Sequence, residues 1–432
     1  MTSKIRPKRK NFNRNYTESG IWRVPYRVLL LTLPFPSVAL LAVDSVGFGL
    51  QIVHVSLVIA SVALTIAFVR EKQILLTRTV GLFSFLLFCV ILASYGWVHI
   101  TPPFPYFSPP FPSVPGQLLY WTSAIGYLLV ANVYTSYVTD FETLYRDWIW
   151  FAAGAAITII VGSYEIIAYY SAIPFPYEIV YSNPTFALNW NTRIAGIKRF
   201  TSSFPEPSML ALYGSVALGA IYGLRRRSLL LIFTAGMILA LSTSAVIGLI
   251  GLTIGVLYLT EVNYQRVVKL GGVSVILTGI AVAVSSTLRQ ALYTTTVGKI
   301  NTHSGDVRSE MLLTGLRAWL ESPIFGWGLG AARTTDGLST LLLSFGVLGT
   351  VPLGWFFLRT LFLPRDYRLA KGLRIGLFAG LIVHLVAVPD WMFPFIWVVA
   401  GALWASPSES DLGFHNRSTK EGSITNSIQE SE

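Results

Sequence analysis

Apolar runs of about 15 to 22 residues recur along most of this 432-residue chain, and that recurrence limits its fold more than any other feature. A run of that length crosses the hydrocarbon core as a helix, the one unclosed structure that satisfies its own backbone in lipid. A soluble domain carries about a quarter of its residues as charges to cover its surface. Here only 12% are charged, 53% are hydrophobic, and the mean hydropathy is +0.59. The fold class that follows is all-α, a polytopic transmembrane helical bundle.

Twelve spans are expected, near 27–43, 50–69, 79–97, 118–137, 148–169, 207–223, 228–242, 244–260, 270–286, 337–358, 373–389 and 391–406. The seventh and eighth are short and nearly contiguous through ALSTSAVIG. Residues 1–26 form a basic tail, 27–406 the membrane domain with large loops at 98–117, 170–206 and 287–336, and 407–432 a polar tail expected to be disordered.

The formal charge of +11 reads as topology rather than nucleic-acid binding, because Lys and Arg are retained on the cytoplasmic side. With both termini cytoplasmic, all but eight of the 32 Lys and Arg fall inside. The eight exceptions occupy two outward segments. Arg193, Lys198 and Arg199 precede the sixth span; Arg289, Lys299, Arg308, Arg317 and Arg333 lie between the ninth and tenth. Long loops escape the charge rule, so their length alone accounts for such exceptions; an anionic ligand on the outer face is the functional alternative.

The stretch KRFTSSFPEPS places Arg199 just before a helix start at Pro207, with Glu206 beside it. Proline in a first turn loses no hydrogen bond, and a carboxylate is favoured at a helix N-terminus. Glu206 therefore reads as a cap or as the partner of Arg199. Arg199 itself is not explained that way. A guanidinium next to free helix N–H groups makes a phosphate site. From Arg308 to Leu320 the residues Met311, Leu312, Gly315, Leu316 and Trp319 recur at helical spacing, which predicts an amphipathic helix against the outer membrane face. Arg308 at its start opposes the macrodipole, so a carboxylate or a ligand is expected near it, with Asp306 and Glu310 as local partners.

Other features carry less. TPPFPYFSPPFPSVP reads as a stiff interfacial belt of aromatic residues, or as rings that stack on sugars. Glu165, His54 and His384 lie within expected spans, where an ionisable group is a functional candidate. The single Cys89 excludes an intrachain disulfide framework. No P-loop is present, since the glycines of GWGLG neither follow a strand nor end in Lys-Ser/Thr.

Two motifs in order, Arg-x-x-x-x-Phe-x-Glu-Pro-Ser from Arg199 and Arg-(x)n-Trp-x-x-x-Pro-x-x-Gly-x-Gly-x-Gly ending at Gly330, resemble the O-antigen polymerase and O-antigen ligase family. LLLSFGVLGTVPL and a Pro-Asp-Trp hairpin follow in the expected places, so the resemblance runs from about Arg199 to Ala405. It implies a GT-C-like, metal-independent glycosyltransferase of the cytoplasmic (inner) membrane with its active site facing outward. Its substrate would be a polyprenyl-diphosphate-linked glycan and its acceptor a second glycan. Membrane lipid and, for a polymerase, a chain-length regulator protein would be partners, with no nucleic acid and no cofactor. By position, Arg199 and Arg308 would hold the diphosphate, aided by Lys198, Arg193 and Arg317. Fixed guanidiniums can carry the leaving group's charge without a metal. Ligases of this family carry a His about eleven residues before the Gly-x-x-Gly of the next span, where this chain has Thr335 beside Asp336. His303, Glu206, Asp336 and Asp306 are the candidates for the base, and the missing His favours polymerase over ligase. A lipid-linked glycan flippase or other transporter is the rival class.

Overall fold

A computed structural model describes residues 22–405, apart from 44–47, 72–74, 102–103, 107–112, 139–140, 184–192, 195, 260–302 (save Ser286, Gln290 and Tyr293) and 366. The expected ninth span save Ser286, Arg289 and Lys299, residues 1–21 of the basic tail and the whole C-terminal tail lie outside the described residues. The described chain is mostly helical. Among the described residues, five helices are long and apolar enough to cross a membrane: α2 (Ile52–Glu71), α3 (Arg78–Ile100), α5 (Phe141–Ser171), α11 (Gly337–Leu361) and α12 (Arg368–Ala387). The apolar stretches of α2 and α3 are each only 33% buried, and α2 turns Val58, Ile59, Val62, Ile66 and Val69 outward. Water would penalise such a surface heavily, whereas hydrocarbon does not, so the protein is membrane-embedded.

The remaining elements are α1 (Arg23–Thr32), strands β1 (Ala39–Val43) and β2 (Phe48–Gln51), α4 (Val114–Tyr137), α6 (Tyr177–Val180), strands β3 (Arg193–Ile194) and β4 (Ile197–Lys198), α7 (Pro207–Gly223), α8 (Arg227–Leu239), α9 (Thr243–Leu259), α10 (His303–Glu321) and α13 (Pro394–Ala405). Each strand pair is antiparallel, β1 with β2 and β3 with β4. The first of these departs from the sequence reading. The run 27–43 is no continuous helix; α1 stops at Thr32 and the chain turns into β1. Pro34 and Pro36 supply the reason, because neither has an N–H to donate to the helix ladder.

Helices α7 and α12 form the tightest joint. They run antiparallel with backbones in near contact, so a Cβ on Gly219 would lie 2.4 Å from Gly376 Cα, and one on Gly372 would lie 2.4 Å from Gly219 O. Small residues allow this approach, which is how helices associate where no hydrophobic effect separates them from lipid. Helices α4 and α13 join in the same manner, with Gly401 against Leu128 O and the Asn132 Nδ2 donating to Gly401 O at 3.1 Å.

Several helices are too short to cross the bilayer alone. At 1.5 Å per residue, α7 (17 residues), α8 (13), α9 (17) and α13 (12) span about 18 to 26 Å, against a core of about 30 Å. Irregular backbone at 198–206, 240–242 and 388–393 continues from the ends of these helices on one side of the bundle. The opposite side carries Arg225, Arg226, Arg227, Arg359 and Arg368 at helix ends and turns.

Helix α11 is also interrupted. Gly346 has φ 56° and ψ −161°, outside helical space, and a side chain there would meet Ile324 O at 2.2 Å. The loop 322–330 fills the break. Pro323 O and Ile324 O accept the freed N–H groups of Val347 and Leu348 at 2.9 and 3.2 Å, while Trp327 N donates to Leu343 O at 2.6 Å. Irregular backbone at membrane depth is tolerated where protein satisfies it in this way.

Candidate functional site

The segment 198–206 does not lie on the surface. It folds down beside α5, where Ser202 Oγ donates to Thr158 O at 2.5 Å and Ser203 Oγ to Pro34 O at 2.5 Å. Phe200 fills a slot where α5 and α8 present Gly162 and Gly236, and Phe204 is fully buried against Tyr213. One buried carboxylate anchors the segment. Glu165 accepts from Lys198 Nζ at 2.9 Å, Thr201 Oγ1 at 2.9 Å, Ser202 N at 3.2 Å and Tyr181 OH at 3.3 Å. Lys198 and Glu165 are both without side-chain exposure. The ammonium of Lys198 is thereby neutralised inside the protein, which corrects its assignment to an anion site. Glu165 is accounted for as the anchor.

The next residue is placed differently. Arg199 is half-buried, and its Nε donates to Ala240 O at 3.1 Å, at the C-terminal end of α8, where carbonyl dipoles favour a cation. Burial lowers its pKa to about 10, with Glu206 pulling it up and Arg308 pushing it down. At neutral pH it remains a cation, close enough to Glu206 and Arg308 to act on both.

Glu206 stands at the N-cap of α7, but its side chain makes no capping hydrogen bond. It accepts instead from Ser208 Oγ at 3.0 Å. Arg308 lies five residues into α10, because the helix begins at His303 rather than at Arg308. Its charge is therefore less opposed to the helix dipole than the sequence implied.

A third arginine joins this group. Arg333 makes a two-toothed pair with Asp390, Nε to Oδ1 at 3.0 Å and Nη2 to Oδ2 at 2.6 Å. Asp390 raises the pKa of Arg333 most, burial opposes it, and Glu206 raises it further. Glu206 is thus in electrostatic reach of Arg199 and Arg333 together. The pair borders a small cleft with Gln117, Trp121, Ser344 and Trp391, and Trp391 Nε1 donates to Gly337 O at 2.8 Å, tying the 388–393 turn to the start of α11.

Three separate segments thus carry Arg199, Arg308 and Arg333, with Arg199 in electrostatic reach of Glu206 and Arg308, and Arg333 in reach of Glu206. The other sequence candidates are elsewhere. Asp336 is the N-cap of α11, accepting from Ser339 N at 2.8 Å and from Ser339 Oγ; it is buried and committed to that cap, which corrects its assignment as a base. Arg193 is exposed, with its guanidinium 4.9 Å from the centre of the Tyr169 ring. Arg317 is exposed on α10, about 13 Å along the helix from Arg308. His303 is the first residue of α10, and its side chain lies outside the described residues. Among the described residues no group of three or more His, Cys, Asp or Glu could hold a metal ion.

Arg333 and Asp390 were missed as site residues, although each carried a signal. Arg333 broke the positive-inside pattern, and Asp390 is the acid of the Pro-Asp-Trp turn. Their separation of 57 residues hid the pairing. The chain matches no protein-family model, no curated protein and no solved structure.

Proposed function

We propose that this protein is an integral-membrane glycosyltransferase that polymerises polyprenyl-diphosphate-linked oligosaccharide repeat units at the outer face of the cytoplasmic membrane. The observation that carries the reading is the electrostatic link of Arg199 to Glu206 and Arg308 and of Arg333 to Glu206, with Arg199 held at the end of α8 where α7, α8 and α13 stop short. Guanidiniums bind phosphate oxygens through a planar fork of donors. Set in protein rather than in water, they act strongly on a charge that develops nearby.

In this reading the acceptor hydroxyl oxygen attacks the anomeric carbon of the lipid-linked sugar. Its proton passes to the Glu206 carboxylate. The bond from the anomeric carbon to the phosphate oxygen breaks, and its electron pair leaves on the diphosphate, which the arginines hold. Asp390 keeps Arg333 in place. The opposite end, with Arg225 to Arg227 and Arg368, is the cytoplasmic side by its charge.

The test is direct. Purified protein, given lipid-linked oligosaccharide in detergent, should release polyprenyl diphosphate and lengthen the glycan. Arg199→Ala and Arg308→Ala should abolish both. Glycan transfer to a different acceptor without lengthening would indicate a ligase. Absence of any covalent change, with movement of the lipid-linked glycan across proteoliposomes, would indicate a transporter and overturn the proposal.

A further inference from the structure

A buried polar group in a folded protein nearly always has a hydrogen-bond partner, so a set of them without one calls for an explanation. The cleft beside the Arg333–Asp390 pair holds such a set. Gln117, Trp121 and Ser344 line it, and they are only 7%, 4% and 6% exposed. Among the described residues, nothing hydrogen-bonds to the Gln117 amide, the Trp121 indole N–H or the Ser344 hydroxyl. Unpaired polar atoms elsewhere, such as Tyr127 OH and Trp148 Nε1, are sealed inside the bundle; these three border open space. Their positions are set by the fold. Gln117 stands in the first turn of α4. A Cβ at Gly330 would lie 3.1 Å from Gln117 Cγ, so the glycine leaves the amide its room. Ser344 precedes the break in α11, and its backbone oxygen accepts from Ser94 Oγ at 2.7 Å, which holds that turn in place.

We propose that this cleft is a subsite for the acceptor saccharide, taking ring hydroxyls of the glycan rather than phosphate. This rests on the reading of the protein as a glycosyltransferase. Amide and hydroxyl side chains both donate and accept, an indole N–H only donates, and a carboxylate only accepts. That mixture matches a sugar hydroxyl, which also does both, whereas an ionised phosphate chiefly accepts. The charges of Arg333 and Asp390 cancel, so the pair offers a phosphate little net attraction. Two of the five guanidinium N–H groups are taken up by Asp390, leaving the others for a diphosphate. The free space is narrow and admits a group about the size of a water or a hydroxyl. It therefore takes the edge of a ring and not a whole sugar. The indoles of Trp121 and Trp391 give the lining its apolar part, as in small-ligand pockets where a few polar groups fix orientation.

The experiment is calorimetric titration of the full-length protein in detergent. The ligands are the repeat-unit glycan, freed from its lipid diphosphate by mild acid, and inorganic pyrophosphate. The proteins compared are wild type, Gln117→Leu and Ser344→Ala, so a folding defect in one variant leaves the other to report. Wild type should bind the glycan, and each variant should bind it about five- to tenfold more weakly, the effect of one lost hydrogen bond. Pyrophosphate binding should stay within about threefold of wild type, because no charge is changed. The melting temperature should hold or rise, since neither substitution removes a side-chain hydrogen bond within the protein. A lower melting temperature in both variants would make these groups structural and overturn the inference. Glycan binding equal to wild type in both, or pyrophosphate binding lost alongside it, would overturn it too. If wild type lengthens lipid-linked glycan but does not bind the free one, the subsite falls and the transferase reading stands. If wild type does neither, the transferase reading fails and the subsite with it.

Discussion

Lys198 Nζ lies 2.9 Å from Glu165 Oε1, and neither side chain is exposed. Adjacent residues in one loop therefore have opposite fates, since Lys198 is sealed into the bundle while Arg199 remains half-buried beside other charges. The pair, with Thr201, Ser202 and Tyr181 on the same carboxylate, fixes where the segment enters the bundle and so where Arg199 points. Removing one partner of a buried pair leaves the other uncompensated, at about 3–5 kcal/mol. Lys198→Met and Glu165→Leu should each lower the melting temperature and yield in detergent sharply. The double variant should recover part of the loss. Equal stability of all three proteins would contradict the anchoring role.

At Arg199, Arg308 and Arg333, substitution by Lys keeps the charge and removes the fork. A hydrogen bond to a charged group contributes about 1.5–3 kcal/mol. Losing one in the transition state should slow turnover roughly 10- to 150-fold, at about 1.36 kcal/mol per decade. Folded yield should match wild type, as measured by size-exclusion chromatography beside the polymerisation assay. Near-normal polymer length in Arg199→Ala and Arg308→Ala would remove both residues from the site.

Much of this was legible because the signals are local. The apolar runs at 79–97 and 337–358 became α3 and α11, and the apolar periodicity from Met311 to Trp319 became part of α10. Arg199 and Arg308 stood out because each conflicts with its surroundings, one as an outward charge and the other on an amphipathic helix. What could not be read was depth. Nothing in KRFTSSFPEPS says that Lys198 is buried by a carboxylate 33 residues earlier, or that Ser202 reaches a carbonyl midway along α5. The break at Gly346 was hidden too, since its freed N–H groups are satisfied by a loop twenty residues upstream, and hydropathy does not register such a repair. Asp336 resembled a base because of where it falls in the motif, yet an acid three residues before a backbone donor is also a cap.

Orientation can be checked with reporter fusions. A fusion at Arg193 should map outside, and fusions at Arg226 and Tyr367 inside, if the basic segments at 225–227 and 365–374 keep their end in the cytoplasm as the charge rule expects. An inside result at Arg193 would turn the arginine cluster toward the cytoplasm and remove the proposed reaction at the outer face.

Arg333 and Asp390 are joined through both oxygens, so they should behave as a unit. Asp390→Asn keeps the shape and loses the charge that fixes Arg333, leaving an unpaired cation at the site. It should cut kcat by at least about tenfold, the effect of a misplaced donor in the transition state. Arg333→Met alone should cost a similar amount, and the double variant about as much as either single one, because both remove the same interaction. Strictly additive losses would mean that the two residues act separately.

Gly346 tests whether the broken helix matters to the site. Its φ of 56° with ψ near −161° belongs to backbone space that is nearly closed to other residues, at a cost of about 1–3 kcal/mol. A methyl group would in addition strike Ile324 O, 2.2 Å from its ideal position. Gly346→Ala must therefore push the 322–330 loop off α11, exposing the N–H groups of Val347 and Leu348 at a depth where water does not compensate them. The same loop leads directly into Arg333, so the displacement should reach the arginine cluster. The variant should melt at a lower temperature and bind pyrophosphate more weakly. Gly354→Ala should do neither, since a Cβ there meets nothing within 4 Å. If Gly346→Ala melted and bound like Gly354→Ala, α11 would tolerate a continuous helix, and the loop's hold on Arg333 would not depend on the break.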